Sequence, residues 1–577
     1  TNPIDVRPAS PSPGKRATLT VVQITDVYIL NNFPHLRNML KEQRAKNPNT
    51  ISMLTGDFLA PYLLSTLDQG VGMMRMLNAT PVDYLTWGNH EADIAHTEVC
   101  NRVREYQGTW INTNMQSHEA MESQKPYDIV VITSPDGSHT RRVGLVAVLS
   151  DQPDLYRHFK APGAFGGAKI ECPWGTLQKY KRELEEKHGC DLVLPLCHLY
   201  VPQDHRTCRE FDFPVILSGH DHHMVDETVD GTRLLKPGQD AHYATVLELS
   251  WNDPQDHGPP TVVAEFVKLA DWPADAALQA EMDEAYAALD HLRKTELSVV
   301  PQRFRPLSSV GARSRVCSMG RYICSLTRDS LNSDGNMATN VDAVLLMGGN
   351  VRGAKDYPDT SYFSMEDLMC EVKEDEVVGL VDIPGWLIAA GIKATHDGPR
   401  SGYFQYDDGV HEDASFNVTM VAGRALEPDT VYRVATKIPD LTNGQSPPLK
   451  EYFLARPELL PHEDVLFNIH VVMLSHFARG AWRRIWRLGD TNGDGHVDAL
   501  EEIDIDGDGS VSLGDIKKCV SKLGMQTHEG DATLTEYIFR FADSDGDGRI
   551  GSKDLDRPSM RQAEIQPFVA LDPYCGA

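Results

Sequence analysis

Five apolar runs in the first half of this chain each end in residues whose side chains can bind a metal ion. Each run is typical of a buried strand that ends in a loop. The polar residues that follow the runs are Asp26, Asp57, Asn89 with His90, His198, and His220 with His222. In α/β layers, ligands gather where the carboxyl ends of strands meet loops. The sequence therefore predicts a polar site assembled from five strand ends.

The residue types at these positions indicate which ions the site would take. Carboxylate, amide and imidazole groups together suit two hard-to-borderline divalent ions rather than a thiolate site. Two metal ions about 3.5–4 Å apart can hold a hydroxide and clamp a phosphoryl group. Any one run alone is compatible with a capped turn that carries an ordinary loop histidine. The five together, in this order, favour a two-metal site.

These residues resemble the calcineurin-like metallophosphoesterases, in the variety of the 5'-nucleotidases. The most specific segment is Gly88–Asp93, which reads Gly-Asn-His-Glu-Ala-Asp. The resemblance covers roughly residues 18–465. It implies a four-layer α/β metallophosphoesterase β-sandwich flanked by helices at 18–272, a linker helix at 273–299, and an α+β nucleotidase-type substrate domain at 300–466.

The resemblance also implies a role for each site residue. Asp57 would bridge two transition metal ions, which could be Zn, Mn, Fe or Co. The first ion would be held by Asp26, Asp57 and His222, and the second by Asp57, Asn89, His198 and His220. His90, oriented by Asp93, would assist the leaving oxygen while a metal-bound hydroxide attacks the phosphorus.

One position departs from the family pattern. The family usually has Asp-x-His at the first strand end, whereas this chain has Asp26-Val27-Tyr28. A Tyr28 phenolate could bind the first ion and would favour a harder, more oxidised ion such as ferric iron. Alternatively, Tyr28 is a packing residue that leaves the first site one ligand short.

The second domain contains residues that resemble a nucleotide-binding surface. Asn350 and Arg352 lie in a glycine-rich segment that can take phosphate oxygens, and Phe404 matches one side of a base-stacking slot. The partner aromatic is missing from Asn443–Pro448, although Tyr452 or Phe453 could take its place. The resemblance therefore implies a phosphohydrolase whose small phosphorylated substrate is a 5'-nucleotide. The missing aromatic leaves a broad-specificity alkaline phosphatase or phosphodiesterase as the alternative. A catalytically degraded, calcium-binding interaction protein is an alternative of another class.

The region 467–560 carries three twelve-residue segments with the pattern of EF-hand calcium loops, which begin at Asp490, Asp504 and Asp543. Together they predict a small all-α domain in which the second and third loops pair. An Asp at position 12 of these two loops predicts weaker calcium binding. The candidate ligands are Asp490, Asn492, Asp494, His496, Asp498 and Glu501 in the first loop, Asp504, Asp506, Asp508, Ser510, Ser512 and Asp515 in the second, and Asp543, Asp545, Asp547, Arg549 and Asp554 in the third.

Composition limits the partners. The net charge of −28 argues against nucleic acid, and no apolar run approaches the length of a membrane span. The chain has ten cysteines, whose pairing cannot be deduced from sequence. Glycosylation sequons at Asn78 and Asn417, with the calcium loops, indicate a secreted or cell-surface protein, extracellular or periplasmic. Residues 1–17 are expected to be an extended lead-in and 561–577 a tail, and the oligomeric state is left open.

Two helices outside the site are also predicted. Leu67–Asn78 has Val71, Met74 and Leu77 on one face, and Ala274–Leu297 contains neither Gly nor Pro.

Overall fold

A computed structural model describes the chain at 15–157, 159–252, 254–255, 258–293, 296–333, 340–357, 362–397, 402–462, 465–489, 497, 500–523, 535, 538–539, 542–543 and 548–551. These residues form two compact units. The first consists mainly of residues up to Ala285, and the second mainly of residues from Tyr286 onward. Each unit has its own sheets and hydrophobic core.

Two sheets form the centre of the first unit. Its described strands are β1 (Ala17–Ile24), β2 (Thr50–Thr55), β3 (Tyr84–Thr86), β4 (Thr109–Ile111), β5 (Gln124–Lys125), β6 (Asp128–Thr133), β7 (Thr140–Leu149), β8 (Leu192–His198), β9 (Val215–Ser218), β10 (Met224–Val229), β11 (Thr232–Pro237), β12 (Tyr243–Trp251) and β13 (Thr261–Lys268). One sheet has the order β13-β12-β1-β2-β3-β4-β5, and the other has the order β10-β11-β9-β8-β7-β6. In the first sheet β1 to β5 run parallel, and in the second β7, β8, β9 and β11 do.

Apolar side chains on alternate positions of both sheets fill the space between them. Leu19 and Val21 of β1 meet Leu194 and Leu196 of β8 in one buried cluster, which also contains Leu247 of β12. A strand that is apolar on both faces must be covered on both faces. The other face of the second sheet is accordingly covered by the helices Pro173–Glu186 and Val201–Glu210.

The first unit also contains helices that connect these strands. They are α1 (Phe33–Lys46), α2 (Leu63–Asp68), α3 (Val71–Ala79), α4 (His96–Glu105), α5 (Pro153–Tyr156), α6 (Pro173–Glu186), α7 (Val201–Glu210) and α8 (Ala276–Arg293), the last of which ends in the second unit. The prediction of one helix over Leu67–Asn78 is wrong. Gln69 and Gly70 both have positive φ, of 51° and 84°, and they separate α2 from α3. The predicted helix at Ala274–Leu297 is present but ends earlier.

The second unit combines a mixed sheet with helices. Its described strands are β14 (Glu296–Val299), β15 (Ala343–Met347), β16 (Tyr362–Ser364), β17 (Val377–Pro384), β18 (Phe404–Tyr406), β19 (His411–Glu412), β20 (Val418–Val421), β21 (Arg424–Ala425), β22 (Val431–Thr436) and β23 (Phe467–Asn468). Five of these form a sheet with the order β18-β15-β22-β17-β23. The helices are α9 (Ser318–Asn332), α10 (Met365–Glu371), α11 (Gly385–His396), α12 (Ile438–Thr442), α13 (Pro447–Leu454), α14 (Ile469–Gly489) and α15 (Leu513–Lys522).

Near the end of the described residues, a small apolar cluster packs beside the acidic segment 504–515. Ile485, Ile503, Ile516 and Ile538 are buried in this cluster. Most of the predicted first calcium loop lies outside the described residues, as do Asp545, Asp547 and Asp554 of the third. Those outside in the first loop are Asp490, Asn492, Asp494, His496 and Asp498. The second predicted loop, 504–515, is described in full.

Two further properties of the described residues bear on the predictions. All nine cysteines in the described ranges are free thiols. None of the helices in the described part of the chain is long and apolar enough to cross a membrane.

The packing between the two sheets gives a testable prediction for stability. Leu247 is fully buried there, whereas Val263 on the neighbouring strand β13 is 57% exposed. Leu247→Ala should lower the free energy of unfolding by about 2–5 kcal/mol, because it removes buried methyl groups and leaves a cavity. Val263→Ala should cost less than about 1 kcal/mol. Chemical denaturation of both variants would measure the difference, and equal costs would contradict the two-sheet core.

Candidate metal centre

Strand ends of both sheets bring the predicted ligands together. Asp26, Asp57 and Asn89 follow β1, β2 and β3 of the first sheet, while His198 ends β8 and His220 follows β9 of the second. Each of these five side chains belongs to a residue that is at most 5% exposed. Donor atoms of Asp57, His198 and His220 lie within 4.8 Å of one another. The predicted assembly of strand ends is therefore present.

Asp57 occupies the centre of this arrangement. His198 Nε2 lies 3.0 Å from Asp57 Oδ2, and the backbone N–H of His90 donates to Asp57 Oδ1 at 2.8 Å. Although burial acts to raise it, the pKa of Asp57 lies well below its usual value because His198 and His90 are close. Its position suits the bridging role, which stays a prediction.

His198 is oriented as a metal ligand should be. Its Nδ1–H donates to the carbonyl oxygen of Thr55 at 2.8 Å. The proton is thus fixed on Nδ1, and Nε2 is the nitrogen that faces Asp57. Such a hydrogen bond to a backbone carbonyl sets the tautomer and ring orientation of metal-binding histidines. Burial acts to lower the pKa of His198, but the neighbouring Asp57 raises it to about 10.

Asn89 provides a direct test of whether a metal fits. Its Oδ1 is buried and has no hydrogen-bond partner among the described residues. An unsatisfied buried oxygen costs free energy unless a ligand binds it. Its position between Gly88 and His90, in a loop that borders Asp57, suits an oxygen ligand of the second ion.

Asp26 and His222 mark the first predicted ion site. Both Asp26 oxygens accept the backbone N–H of His220, at 3.2 and 3.0 Å, and Thr25 Oγ1 donates to Oδ2 at 2.6 Å. Burial raises the pKa of Asp26 to about 6. His222 Nε2 lies 3.9 Å from Asp26 Oδ1, and its side chain is 40% exposed. His222 thus lies at the open side of the centre.

Tyr28 does not point away into the core. Its hydroxyl oxygen is 3.1 Å from His222 Nε2 and 3.4 Å from Asp57 Oδ2. Its backbone N–H donates to Asp240 Oδ1 at 2.9 Å, which fixes the start of this loop. The Tyr28 oxygen thus lies among the predicted ligands of the first ion, and its role as a ligand stays a prediction.

His90 and Asp93 form a hydrogen-bonded pair at the edge of the centre. His90 Nδ1 is 2.6 Å from Asp93 Oδ2. A carboxylate only accepts hydrogen bonds, so Nδ1 carries a proton and Nε2 is left for other contacts. The residue His90 is 8% exposed.

These observations agree with a comparison to known proteins. Residues 19–224 match the family model for calcineurin-like phosphoesterases. This part of the chain is a calcineurin-like phosphoesterase domain. A search of curated proteins finds no match to the chain.

Solved structures resemble the phosphoesterase domain together with the residues that follow it. The NAD nucleotidase of Haemophilus influenzae aligns over 80% of this chain and 96% of its own, with 15% identity and a TM-score of 0.59. A putative 5'-nucleotidase from Staphylococcus aureus aligns over the same shares, with 13% identity and a TM-score of 0.51. At these identities the likeness shows the fold alone. The mixed α/β fold thus matches metallophosphoesterase and 5'-nucleotidase structures.

Glu91 anchors two loops of the candidate centre, a role that the sequence pattern did not predict. Its carboxylate accepts the backbone N–H groups of Asp57 (3.0 Å), Phe58 (2.7 Å), Leu59 (3.2 Å) and Gly88 (2.7 Å). It is fully buried, and burial raises its pKa to about 7. Only its place in the segment Gly88–Asp93 could have indicated this role.

Close backbone approach is a second feature of the phosphoesterase centre that sequence spacing does not reveal. A Cβ atom on Gly88 would lie 2.1 Å from Asp57 Oδ1, and one on Gly219 would lie 2.1 Å from Thr25 Oγ1. Because neither neighbour is a flexible chain end, only glycine fits at these two positions.

A second group of potential ligands in the phosphoesterase domain consists of His96, Cys100 and His118, whose donor atoms lie within 4.8 Å of one another. The backbone N–H of Ala120 and the side-chain amide of Gln124 both donate to His118 Nδ1, at 3.2 and 3.1 Å. The ring proton is then on Nε2, so neither nitrogen offers a lone pair to an ion. This group does not have the chemistry of the centre around Asp57.

The predicted substrate residues belong to the second unit. Asn350 Nδ2 donates to Asp440 Oδ2 at 2.9 Å. Arg352 is exposed, and its guanidinium has no hydrogen bond or ion pair with another described residue. Arg313, which no sequence motif indicated, is also exposed and lies beside Gly349. Among the described residues the guanidinium groups of Arg313 and Arg352 are thus both unpaired, and Arg313 lies beside the glycine-rich segment that contains Arg352.

The structure places Phe404 differently from the prediction. The Phe404 side chain is fully buried in the apolar core of the second unit, among residues such as Leu345 and Ile392. The neighbouring Tyr403 stacks on His396, with ring centroids 3.7 Å apart and an interplanar angle of 9°. The Phe404 ring is therefore not open to a base in this structure.

The role of Glu91 gives a testable prediction. Glu98 on α4, a carboxylate that is 8% exposed, provides the control variant. Glu91→Gln should leave backbone N–H groups unsatisfied, at a cost of about 1–3 kcal/mol. It should also weaken retention of bound transition metal by about 10–100-fold, because the loops that carry Asp57 and Asn89 lose their shared anchor. Glu98→Gln should retain the metal. Metal analysis after dialysis and thermal unfolding would measure both effects, and equal retention would refute the role of Glu91.

Proposed function

We propose that this protein is a metal-dependent phosphohydrolase that cleaves small phosphomonoesters. The observation that carries the proposal is the buried cluster of Asp57, His198 and His220, with the orphaned oxygen of Asn89 beside it. Two metal sites that share the Asp57 carboxylate would suit an in-line displacement at phosphorus.

The donor set allows each residue to be assigned. Asp57 would bridge two transition metal ions, with Asn89, His198 and His220 on the second and Asp26, His222 and Tyr28 on the first. Bound there, the ions would supply Lewis acidity toward the phosphoryl oxygens and activate water. The chain's own residues fix that geometry through the hydrogen bonds of Thr55 and Glu91.

His90 would handle the proton of the leaving group. With Nδ1–H held by Asp93, the ring can present a protonated Nε2 to the departing oxygen. The carboxylate stabilises the charged ring and sets its orientation, which is the usual arrangement for a histidine in acid–base catalysis. Removal of His90 should therefore lower the turnover rate more than the affinity for substrate.

Tyr28 would make the first site more selective for hard ions. A phenolate is an anionic oxygen donor, whereas the histidine expected from the family is a neutral nitrogen donor. Harder, more highly charged ions prefer anionic oxygen ligands. Iron is therefore our first candidate for this site, and zinc, manganese or cobalt is the alternative.

The substrate is proposed to be a small phosphorylated molecule, with 5'-nucleotides as the first candidate. The names of the similar solved structures support nucleotides, and Arg313 and Arg352, which have no side-chain partner in the described part of the chain, suit phosphate oxygens. The burial of Phe404 favours the second candidate, a broad-specificity alkaline phosphatase or phosphodiesterase that does not depend on the base. The third alternative, a calcium-binding interaction protein without turnover, rests on no observation at the centre.

Reconstitution tests these assignments together. The protein should be stripped of transition metals and reloaded with Zn, Mn, Fe or Co at fixed calcium. We expect two ions per chain and restored hydrolysis of AMP and glycerol phosphate. A rate for AMP more than about tenfold above that for glycerol phosphate would support the nucleotidase, whereas similar rates, which the burial of Phe404 favours, would support the broad-specificity phosphatase. Hydrolysis of a diester, bis-p-nitrophenyl phosphate, would distinguish a phosphodiesterase from a phosphomonoesterase.

Variants make the reconstitution specific. Asp57→Asn should lose both ions, because it removes the shared carboxylate, while His90→Asn should keep them and lose about 10²–10⁴-fold in turnover. Iron-loaded protein should absorb visible light through phenolate-to-iron charge transfer, and Tyr28→Phe should abolish that band. Failure of every metal to restore turnover, with intact calcium binding, would favour the interaction protein.

We further propose that the loop 504–515 binds calcium. Asp504, Asp506 and Asp515 bring carboxylate oxygens within 4.8 Å of one another. Asp504 also accepts the backbone N–H groups of Gly507 and Gly509, at 2.8 and 2.7 Å. This turn, with Gly509 at φ 89°, is the backbone shape that an EF-hand loop needs at its sixth position.

A short antiparallel bridge supports pairing of the second and third loops. The N–H of Val511 donates to the carbonyl oxygen of Ile550 at 3.1 Å, and the reverse bond measures 2.9 Å. Both residues are at position 8 of their loops and are fully buried. A bridge at this position would couple the calcium affinity of the two loops.

Calcium titration by calorimetry gives the test. Asp504→Ala should lower the number of bound calcium ions by one and weaken the remaining paired loop, because the bridge partner loses its order. Glu502→Ala, an exposed change outside the loop, should alter neither quantity. An unchanged stoichiometry in Asp504→Ala would refute calcium binding at 504–515.

A further inference from the structure

A lysine is completely buried behind the candidate metal centre. Lys236 lies on β11, and both the residue and its side chain have 0% exposure. Its neighbour Leu235 points into the core between the two sheets. Because side chains alternate along a strand, Lys236 points to the opposite face, toward α7. A buried ammonium group is costly unless it is paired and hydrogen-bonded.

Four oxygen atoms surround the Lys236 ammonium group. It lies 2.7 Å from the carbonyl oxygen of Leu199 and 2.8 Å from that of Gly219. It also forms ion pairs with Asp221 at 2.5 Å and with Asp204 at 2.8 Å. An ammonium has three donors in a compact head, which suits convergent acceptors from different segments.

The two carbonyl contacts link the segments that present two predicted metal ligands. Leu199 directly follows His198, and Gly219 directly precedes His220. Lys236 therefore binds both segments of the backbone one residue away from the imidazoles that lie around Asp57. Residues one step behind a metal ligand often determine how well the ligand is oriented.

His220 has a particular need for such an anchor. Its φ is +81°, a left-handed value that a non-glycine residue rarely adopts. The surroundings must hold a residue in this conformation, because it is strained by itself. The N–H of His220 is held by Asp26, and the carbonyl oxygen just before it is held by Lys236.

The carboxylates extend the same network to the helix behind the strands. Asp204 lies on α7, and its carboxylate accepts the Ser218 hydroxyl proton, with the hydroxyl oxygen 3.0 and 2.9 Å from its two oxygens. Asp221 accepts the backbone N–H of Val201, the first residue of α7, at 3.0 Å. Lys236 is thus the common partner of α7 and of the segments that directly follow β8 and β9.

We propose that Lys236 is a positioning residue that fixes the His198 and His220 segments for binding of the second transition metal ion. The proposal rests on the proposed function, because it concerns the same centre. Lys236 contacts neither ion nor substrate and acts through the two carbonyl groups. Its removal should weaken metal binding more than the loss of stability alone would predict.

The test compares metal affinity in variants of the full chain. Lys236→Met removes the ammonium and keeps a chain of similar length. Leu235→Ala is the matched control, because it destabilises the same strand from the opposite face. The readouts are metal content per chain, the dissociation constant of the second ion by competition with a chelator, and the thermal midpoint.

We expect Lys236→Met to bind the second ion about 10–100-fold more weakly, with turnover recovered at saturating metal. Leu235→Ala should lower the thermal midpoint but keep the affinity within about threefold. If Lys236→Met and Leu235→Ala showed the same affinity, Lys236 would be a structural residue only and the proposal would be overturned.

A third variant covers the case in which Lys236→Met does not fold. Lys236→Arg keeps the charge that Asp204 and Asp221 require, but its planar head cannot place one nitrogen between the two carbonyl groups. It should also weaken binding of the second ion, and wild-type affinity in this variant would overturn the proposal. A wild-type protein that bound no transition metal would overturn the proposed function as well, whereas normal wild-type binding with unchanged variants would overturn this inference alone.

Discussion

The candidate centre depends on a carboxylate that binds backbone rather than metal. Glu91 accepts four N–H groups from the two loops that present Asp57 and Asn89. Loops at the ends of parallel strands have no ladder to satisfy their N–H groups, and burying them unsatisfied is costly. One buried side chain therefore satisfies these backbone N–H groups and also sets the geometry of the predicted ligands.

Backbone strain shows how tightly this region is determined. Asp26, Asp57 and His220 all have positive φ, at 51°, 56° and 81°. Such conformations cost on the order of 1 kcal/mol or more each for residues other than glycine, and they persist only where the surroundings over-determine them. Three of the predicted ligands share this property, and Glu91 and Lys236 contact the segments that carry two of them.

The sequence allowed the strand ends and their ligands to be predicted because that information is local. An apolar run followed by Asp, Asn or His is visible within ten residues. The position of the Tyr28 hydroxyl could not be predicted this way, since it lies beside His222, which is distant in sequence. Phe404 was assigned by similarity to a stacking role, but the packing of the second unit buries it.

Other residues were missed for the same physical reason. Lys236 and Glu91 matter through partners on different strands and loops, and no spacing rule connects those partners. Arg313 lies far from Arg352 in the chain and only the fold places it beside Gly349. The break between α2 and α3 depends on two successive residues with positive φ, and Gln69 gives no strong signal for such a conformation.

The division of the ligands between two sheets has a mechanical consequence. The predicted oxygen ligands Asp26, Asp57 and Asn89 come from one sheet, whereas His198 and His220 come from the other. Ions held by both groups would act as cross-links between the layers and would stabilise the closed sandwich by mass action. Metal occupancy and the packing of the two layers would then be one linked equilibrium, so chelation would loosen the core as well as empty the centre.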